Sequence, residues 1–411
     1  MAIPMTDDLN RAWLTNVKTG VRYPLGPILR APDDGGELSV TFDLKAAAEA
    51  FGARWKTAGS MWERFGAVLT PFDQSHVVSI GEGNTPLVRS ERFARELGLK
   101  NLFFKLEGSN PTGSFKDRQM SVAISMGRSW GRHRYATVSS GNVGNALSAY
   151  CAKAGYDAIV LVAEDTADGK RDQISVYGAQ LYLVPAPTPG HVRRYWQLYA
   201  DLGAFCAARD IVPMISARPV NPFMVEGTKT IAFEIAASLG QVPDVMYCCV
   251  GGGGLLGGVY KGFQELVGLS QATSMPVIHG GQRIDRNFAP IDKLHEEPYA
   301  SGDYYLPLDG DWADGAIRAT GGTLTPLGAD AIAEAQTWLA TKEGIFAEPQ
   351  GAYAAAALIA AARRGEVDPE ATITCVITGI GLKDMGAARR FAEFAPQRAR
   401  IRATGLDDLT I

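Results

Sequence analysis

A chain of 411 residues with 46% hydrophobic content and a formal net charge of -4 has apolar material for more than one core, because beyond roughly 250 to 300 residues a single core tends to split. Slight acidity without any basic run argues against nucleic acid or anionic membranes as partners. The longest apolar run, Ala352 to Ala362, is about half of what a bilayer requires and ends in Arg363 and Arg364, so it reads as a buried helix.

Taken in chain order, the first residues show no basic stretch followed by an apolar one, and a cytoplasmic location is expected. Residues 1–80 form an irregular N-terminal extension in which "TNVKTGVRYPL" and "APDDGGELSV" predict turn-bearing hairpin strands. Such knuckles are pinned by zinc elsewhere, but the first 150 residues contain no cysteine, so no metal is expected there. The five cysteines (Cys151, Cys206, Cys248, Cys249 and Cys375) sit mostly inside apolar runs without C-x-x-C spacing and read as core thiols.

From residue 100 onward, short β-branched runs alternate with helical patterns: "NLFFKLE", "YATVSS", "DAIVLVA", "AQLYLVP", "DVMYCCV", "MPVIHGG" and "TITCVIT". The alternation predicts an α/β protein of open, largely parallel sheets with helices on both faces. Two α/β domains are expected, a smaller one over 81–220 and a larger one over 221–411. Several runs end in glycine-rich or polar turns, which places those turns at the carboxyl ends of strands, where open α/β sheets bind ligands.

Four of these segments carry chemistry. In "SNPTGSFKDR", Lys116 lies among small residues where burial would lower its pKa and let it form a Schiff base with an aldehyde. The plain alternative is a helix start capped by Ser114 with the lysine solvated. "SSGNVGN", Ser139 to Asn145, follows a strand and opens a helix, a setting for holding a carboxylate. "VGGGGLLGG" has four consecutive glycines able to turn their amides around a phosphate. It also contains G-x-G-x-x-G, yet the next strand, "PVIHGGQR", offers no acid for a ribose, which weakens a dinucleotide reading. In "CVITGIGLKD", Thr378 ends a strand with a neutral hydroxyl suited to a ring nitrogen.

Together these segments describe a pyridoxal phosphate site. Their order and wording, from "GEGNTPLVRS" through "NPFMVEGTKTIAFEI" to "TGIGLKD", resemble the fold-type II pyridoxal phosphate enzymes of tryptophan synthase β-like architecture, and among them threonine synthase. The irregular N-terminus is similar to the zinc-ribbon-like start of some threonine synthase relatives with its metal ligands gone. The resemblance implies that Lys116 binds the cofactor covalently and later moves the substrate's α-proton, with Phe115 flanking the ring. It implies that Asn142 bonds the phenolic oxygen and that Ser139, Ser140 and Val143 present groups to the substrate carboxylate. Gly251, Gly252, Gly253, Gly254 and Leu255 would cradle the phosphate, Thr378 would face the pyridine nitrogen, and a homodimer is implied.

The sequence departs from threonine synthases in three places. "GGGGL" replaces an asparagine-containing phosphate turn and is similar to serine and threonine deaminases, Met224 stands where many carry arginine, and Ile380 where many carry histidine. A phosphorylated substrate would lose charge-assisted partners through these changes. The expected activity is elimination, with or without replacement, of a β- or γ-substituent of a small amino acid, for example O-phosphohomoserine to threonine. Deamination to a 2-oxo acid and ammonia is the alternative, and an NAD-dependent dehydrogenase a distant one.

Overall fold

The computed structural model describes residues 11–69, 73–139, 141–186, 192–284 and 288–391. In chain order the strands are β1 (Ala12–Asn16), β2 (Arg22–Pro24), β3 (Leu38–Phe42), β4 (Leu87–Arg89), β5 (Asn101–Leu106), β6 (Arg134–Ser139), β7 (Asp157–Ala163), β8 (Gln180–Val184), β9 (Val212–Pro213), β10 (Val245–Cys249), β11 (Val277–Arg283), β12 (Leu324–Leu327) and β13 (Thr372–Ile377). They form a three-stranded sheet β2-β1-β3, a six-stranded sheet β12-β11-β10-β13-β5-β4 and a four-stranded sheet β8-β7-β6-β9. The small N-terminal sheet is antiparallel. In the six-stranded sheet only the edge pair β4 and β5 is antiparallel. The four-stranded sheet is parallel throughout.

The seven β-branched runs became β5, β6, β7, β8, β10, β11 and β13. Short strands β4, β9 and β12 carry too few alternating residues to announce themselves; β12 even contains Pro326, tolerated because it lies at the sheet edge. The sheets also cut across the expected boundaries, since β4 and β5 precede residue 221 but pair with strands that follow it. The run Ala352–Ala362 lies in a buried helix, Tyr353–Arg363. All five cysteines are buried and unbridged. Among the described residues no group of His, Cys, Asp or Glu could hold a metal ion, and no helix is long and apolar enough to cross a membrane.

Neighbouring strands β10, β13 and β5 run parallel, so their carboxyl ends open on one edge. The glycine loop, Thr378 and the lysine turn leave from that edge, while the Ser139 turn leaves the corresponding end of β6. Two helices lock the lysine turn behind it. Helix Pro222–Leu239, opened by Asn221 accepting from the Phe223 amide and by Pro222 in its first turn, packs so closely on helix Lys116–Ser129 that a Cβ on Gly227 would collide with the Arg118 carbonyl.

A buried ion cluster sits at that crossing. The Arg118 guanidinium, without solvent contact, donates to Glu107 from Nε and Nη2, both at 2.8 Å, and to Glu234 from Nη1 at 2.7 Å and Nη2 at 2.8 Å. Lys105 on β5 donates to the same Glu234 at 2.6 Å. Burial alone would raise the Glu234 carboxyl, but Arg118 and Lys105 outweigh it and hold it well below the usual carboxylate range. Arg118→Met would leave two buried carboxylates facing Lys105 alone. We expect it to lower the unfolding free energy by about 3–5 kcal/mol, read from urea denaturation.

Candidate active site

The lysine turn is shaped by its own side chains and by the end of β13. Asp117 accepts from Thr112 Oγ1 at 2.9 Å, Gly113 takes a left-handed φ of 86°, and Ile380 N donates to Gly113 O at 3.0 Å. Phe115 N donates to Thr378 O at 3.1 Å, so the residue before the lysine is bonded to the residue expected at the ring nitrogen. Lys116 does open a helix, but Phe115 occupies the cap position without a side-chain bond, and the Ser114 hydroxyl is buried without a partner among the described residues. The capped, solvated lysine of the plain reading is therefore not what forms. Lys116 Nζ lies 2.5 Å from Ser216 Oγ and 4.2 Å from the Phe115 ring centroid. Burial pushes its pKa down to about 8, against the opposing pull of Cys249, Asp309 and Glu348.

In the turn after β6, Ser139 is buried and its hydroxyl oxygen accepts from Gly141 N at 2.9 Å and Gly144 N at 3.2 Å. Ser139 thus builds the turn as well as facing it. Asn142 and Val143 begin helix Asn142–Ala154, where the first amides have no intrahelical carbonyl and favour an anion. Ser140 lies outside the described residues. The Asn142 Nδ2 donates to Glu348 Oε1 at 2.5 Å, while its Oδ1 is buried with no partner among the described residues. Glu348 is itself buried, and its Oε2 stands 2.9 Å from Lys170 Nζ.

Gly251 to Leu255 run from just past β10 into the first turn of helix Gly254–Gly268. Gly253 has φ 95°, and a Cβ there would collide with the Asp309 backbone, whereas nothing lies within 4 Å of a Cβ built on Gly252. The loop is held from below: Asp309 N donates to Gly252 O at 2.8 Å, and the Asp309 carboxylate accepts from Arg218 N at 3.1 and 3.2 Å. Burial raises the Asp309 carboxyl to about 7, partly opposed by Arg218. Arg218 in turn pairs with Glu37 from the N-terminal hairpin and lies over the Trp312 ring.

A helix-start amide loop, a buried amine and an unsatisfied asparagine oxygen converge on one edge, and the pyridoxal-phosphate-dependent enzyme family matches this chain over residues 78–379. The chain belongs to that family. It is 34% identical over 394 residues to threonine synthase of Methanocaldococcus jannaschii, covering 92% of this chain and 94% of that protein. It is 33% identical over 355 residues to threonine synthase of Halalkalibacterium halodurans, covering 84% and 94%. Its fold is similar to that of maize serine racemase, with TM-score 0.59 and 18% identity over 76% of this chain and 92% of that one.

The chain is thus a threonine synthase-like pyridoxal phosphate enzyme of tryptophan synthase β-like fold. Pyridoxal phosphate, not a dinucleotide, is the cofactor of its family, and the residues present fit it: among the described residues a Cβ on Gly252 would meet nothing within 4 Å and Asn142 Oδ1 lacks a partner, and Lys116 is depressed toward neutrality. Sequence reasoning missed Ser216, Asp309 and Glu348. None sits in a glycine-rich or lysine-bearing motif, and only the "EPQG" turn around Glu348 carried even a weak signal. Because only the uncharged amine attacks an aldehyde, we expect the rate at which pyridoxal phosphate binds covalently to the stripped enzyme to rise with pH up to about 8 and level off above it. An unperturbed lysine would keep rising toward about 10.4. Stopped-flow absorbance distinguishes the two.

Proposed function

We propose that this enzyme removes a β- or γ-substituent from a small amino acid in the manner of threonine synthase, Lys116 acting as covalent anchor and proton carrier. The observation that carries this reading is the Lys116 amine, 2.5 Å from Ser216 Oγ and lowered to about 8 by burial, on a turn whose Phe115 N bonds Thr378 O. The likeness to threonine synthases across 92% of the chain supports the reaction class. When bound, the cofactor draws the electron pair from the substrate's α-carbon once the proton leaves.

The chain's own residues do the rest. The amides of Asn142 and Val143, with the helix dipole behind them, orient the substrate carboxylate. Lys116 Nζ takes the α-proton and returns it where the product needs it. The amides of Gly251 to Leu255 would hold the cofactor phosphate, Asn142 would hold the phenolic oxygen and Phe115 would flank the ring. Thr378 would meet the ring nitrogen with a neutral hydroxyl, which does not force that nitrogen to be protonated and suits prompt elimination. A homodimer and a cytoplasmic location belong to the same proposal, on the strength of the family resemblance.

O-phosphohomoserine conversion to threonine is one form of this reaction, and deamination to a 2-oxo acid is the other. A specific set of contacts favours the second. Met224 is fully buried, and the Ile380 side chain packs against Gly113. Among the described residues, three cations near the site are already engaged: Lys170 with Glu348, Arg218 with Glu37, and Lys383 with Thr112 O at 2.5 Å and with Asn145 and Gln173 at 3.0 Å. A second dianion beside the cofactor phosphate would meet partners that already have carboxylates or carbonyls.

Lys116→Arg is expected to lower kcat by about 10²–10⁴-fold or more on whichever amino acid is the substrate. Assays of phosphate and threonine from O-phosphohomoserine, run beside assays of ammonia and 2-oxo acid from serine and threonine, separate the two forms. Phosphate release without ammonia supports synthesis, and ammonia without phosphate release supports deamination. Absence of turnover on all three substrates would oppose the proposal.

A further inference from the structure

We propose that Ser216 is a positioning residue for the Lys116 amine, and that Gln119 fixes the serine hydroxyl so that it accepts from the lysine and cannot donate to it. This rests on the reading of Lys116 as the residue that reacts with the cofactor.

The chain of contacts is continuous. Lys116 Nζ is 2.5 Å from Ser216 Oγ, Ser216 Oγ is 2.6 Å from Gln119 Oε1, and Gln119 Nε2 is 2.9 Å from Thr228 Oγ1. Lys116 and Gln119 are three apart on one helix and so share a face. Gln119 is fully buried, and its amide is set with nitrogen toward Thr228 and oxygen toward Ser216. A carbonyl oxygen can only accept. The single serine proton is therefore committed to Gln119, and what Ser216 offers the lysine is a lone pair.

The consequence concerns direction rather than pKa. An uncharged amine has two N–H bonds and one lone pair, and only the lone pair can attack an aldehyde or take a proton. Ser216 Oγ accepts one N–H. The Phe115 face, 4.2 Å away, likewise attracts the positive hydrogen side of the nitrogen and repels its lone pair. With acceptors on two sides, the lone pair is left to the remaining direction, the one the proposal assigns to the incoming aldehyde. Were the Gln119 amide reversed, its nitrogen would donate to Ser216, the serine proton would turn to the lysine, and the lone pair would be covered. Lowering the pKa makes the amine available; the Ser216–Gln119–Thr228 chain aims it.

The test follows absorbance as pyridoxal phosphate is added to the full-length chain stripped of cofactor, for wild type, Ser216→Ala, Gln119→Leu and Ser216→Thr, across pH 6 to 10. The condensation joins the amine nitrogen to the aldehyde carbon and releases water, so no other reactant is needed. Ser216→Ala and Gln119→Leu are each expected to lower the high-pH plateau rate about tenfold, the scale of one lost hydrogen bond. Ser216→Thr should recover most of it. A merely structural role would shift the melting temperature without this pattern of slowing and rescue. Should Gln119→Leu lose its cooperative melt, Thr228→Val, which releases the amide to turn, takes its place with the same slowing expected. Equal plateau rates in wild type, Ser216→Ala and Gln119→Leu, or a faster Gln119→Leu, would overturn the proposal and leave the cofactor reading standing. No condensation in the wild type would overturn both.

Discussion

A guanidinium removed from water must find carboxylates, and Arg118 finds two. Its bonds to Glu107 and Glu234, with Lys105 closing the charge balance, join three parts of the chain distant in sequence: the end of β5, the helix that begins at Lys116, and the helix Pro222–Leu239. Gly83 and Asn84 join the same cluster, Asn84 through its amide to Glu234 at 2.8 Å and Gly83 through its amide to Asn110 at 3.0 Å. A buried pair gives little net stability over a hydrophobic substitute, but it tolerates almost no displacement. Arg118 lies two residues after Lys116, so the orientation of the lysine turn against the larger sheet inherits that intolerance.

Reactivity then follows from what surrounds a fixed amine. Desolvation favours its neutral form; the buried acids Asp309 and Glu348 pull the other way and keep the shift moderate. A base with pKa near the working pH is more useful than one fully stripped of its proton, because it must both take and return one. The glycine loop and the Asn142 turn supply backbone amides in place of charged side chains. An anion can be held there without placing another titrating cation beside the lysine. Among the described residues, acids hold Lys170 and Arg218, and carbonyl oxygens hold Lys383.

Much of the candidate site could be proposed from the sequence because it is local. Strand-end turns keep glycine, asparagine and lysine within a few residues of one another, and the strand rule places such turns at one edge. What was not legible is what comes from elsewhere in the chain. Ser216 reaches Lys116 across 100 positions and Glu348 reaches Asn142 across 206, and no periodicity announces either meeting. The Ser139 hydroxyl, expected to face the substrate carboxylate, is also bonded within its own turn, because an oxygen two residues before a glycine amide is a ready acceptor for the turn that follows. Sheet membership was not legible for a related reason: β5 resembles the strands that follow it in sequence, but pairs with β13, more than 260 residues later, through a register no local pattern encodes.

The central claim is that one amine, Lys116, forms the covalent link to the cofactor. Borohydride reduction of the purified enzyme, followed by proteolysis and mass spectrometry, tests it most directly. The account predicts a pyridoxyl phosphate mass on the peptide containing Lys116 and on no other. An adduct on Lys105, Lys170, Lys383 or any other lysine, or none at all, would contradict it.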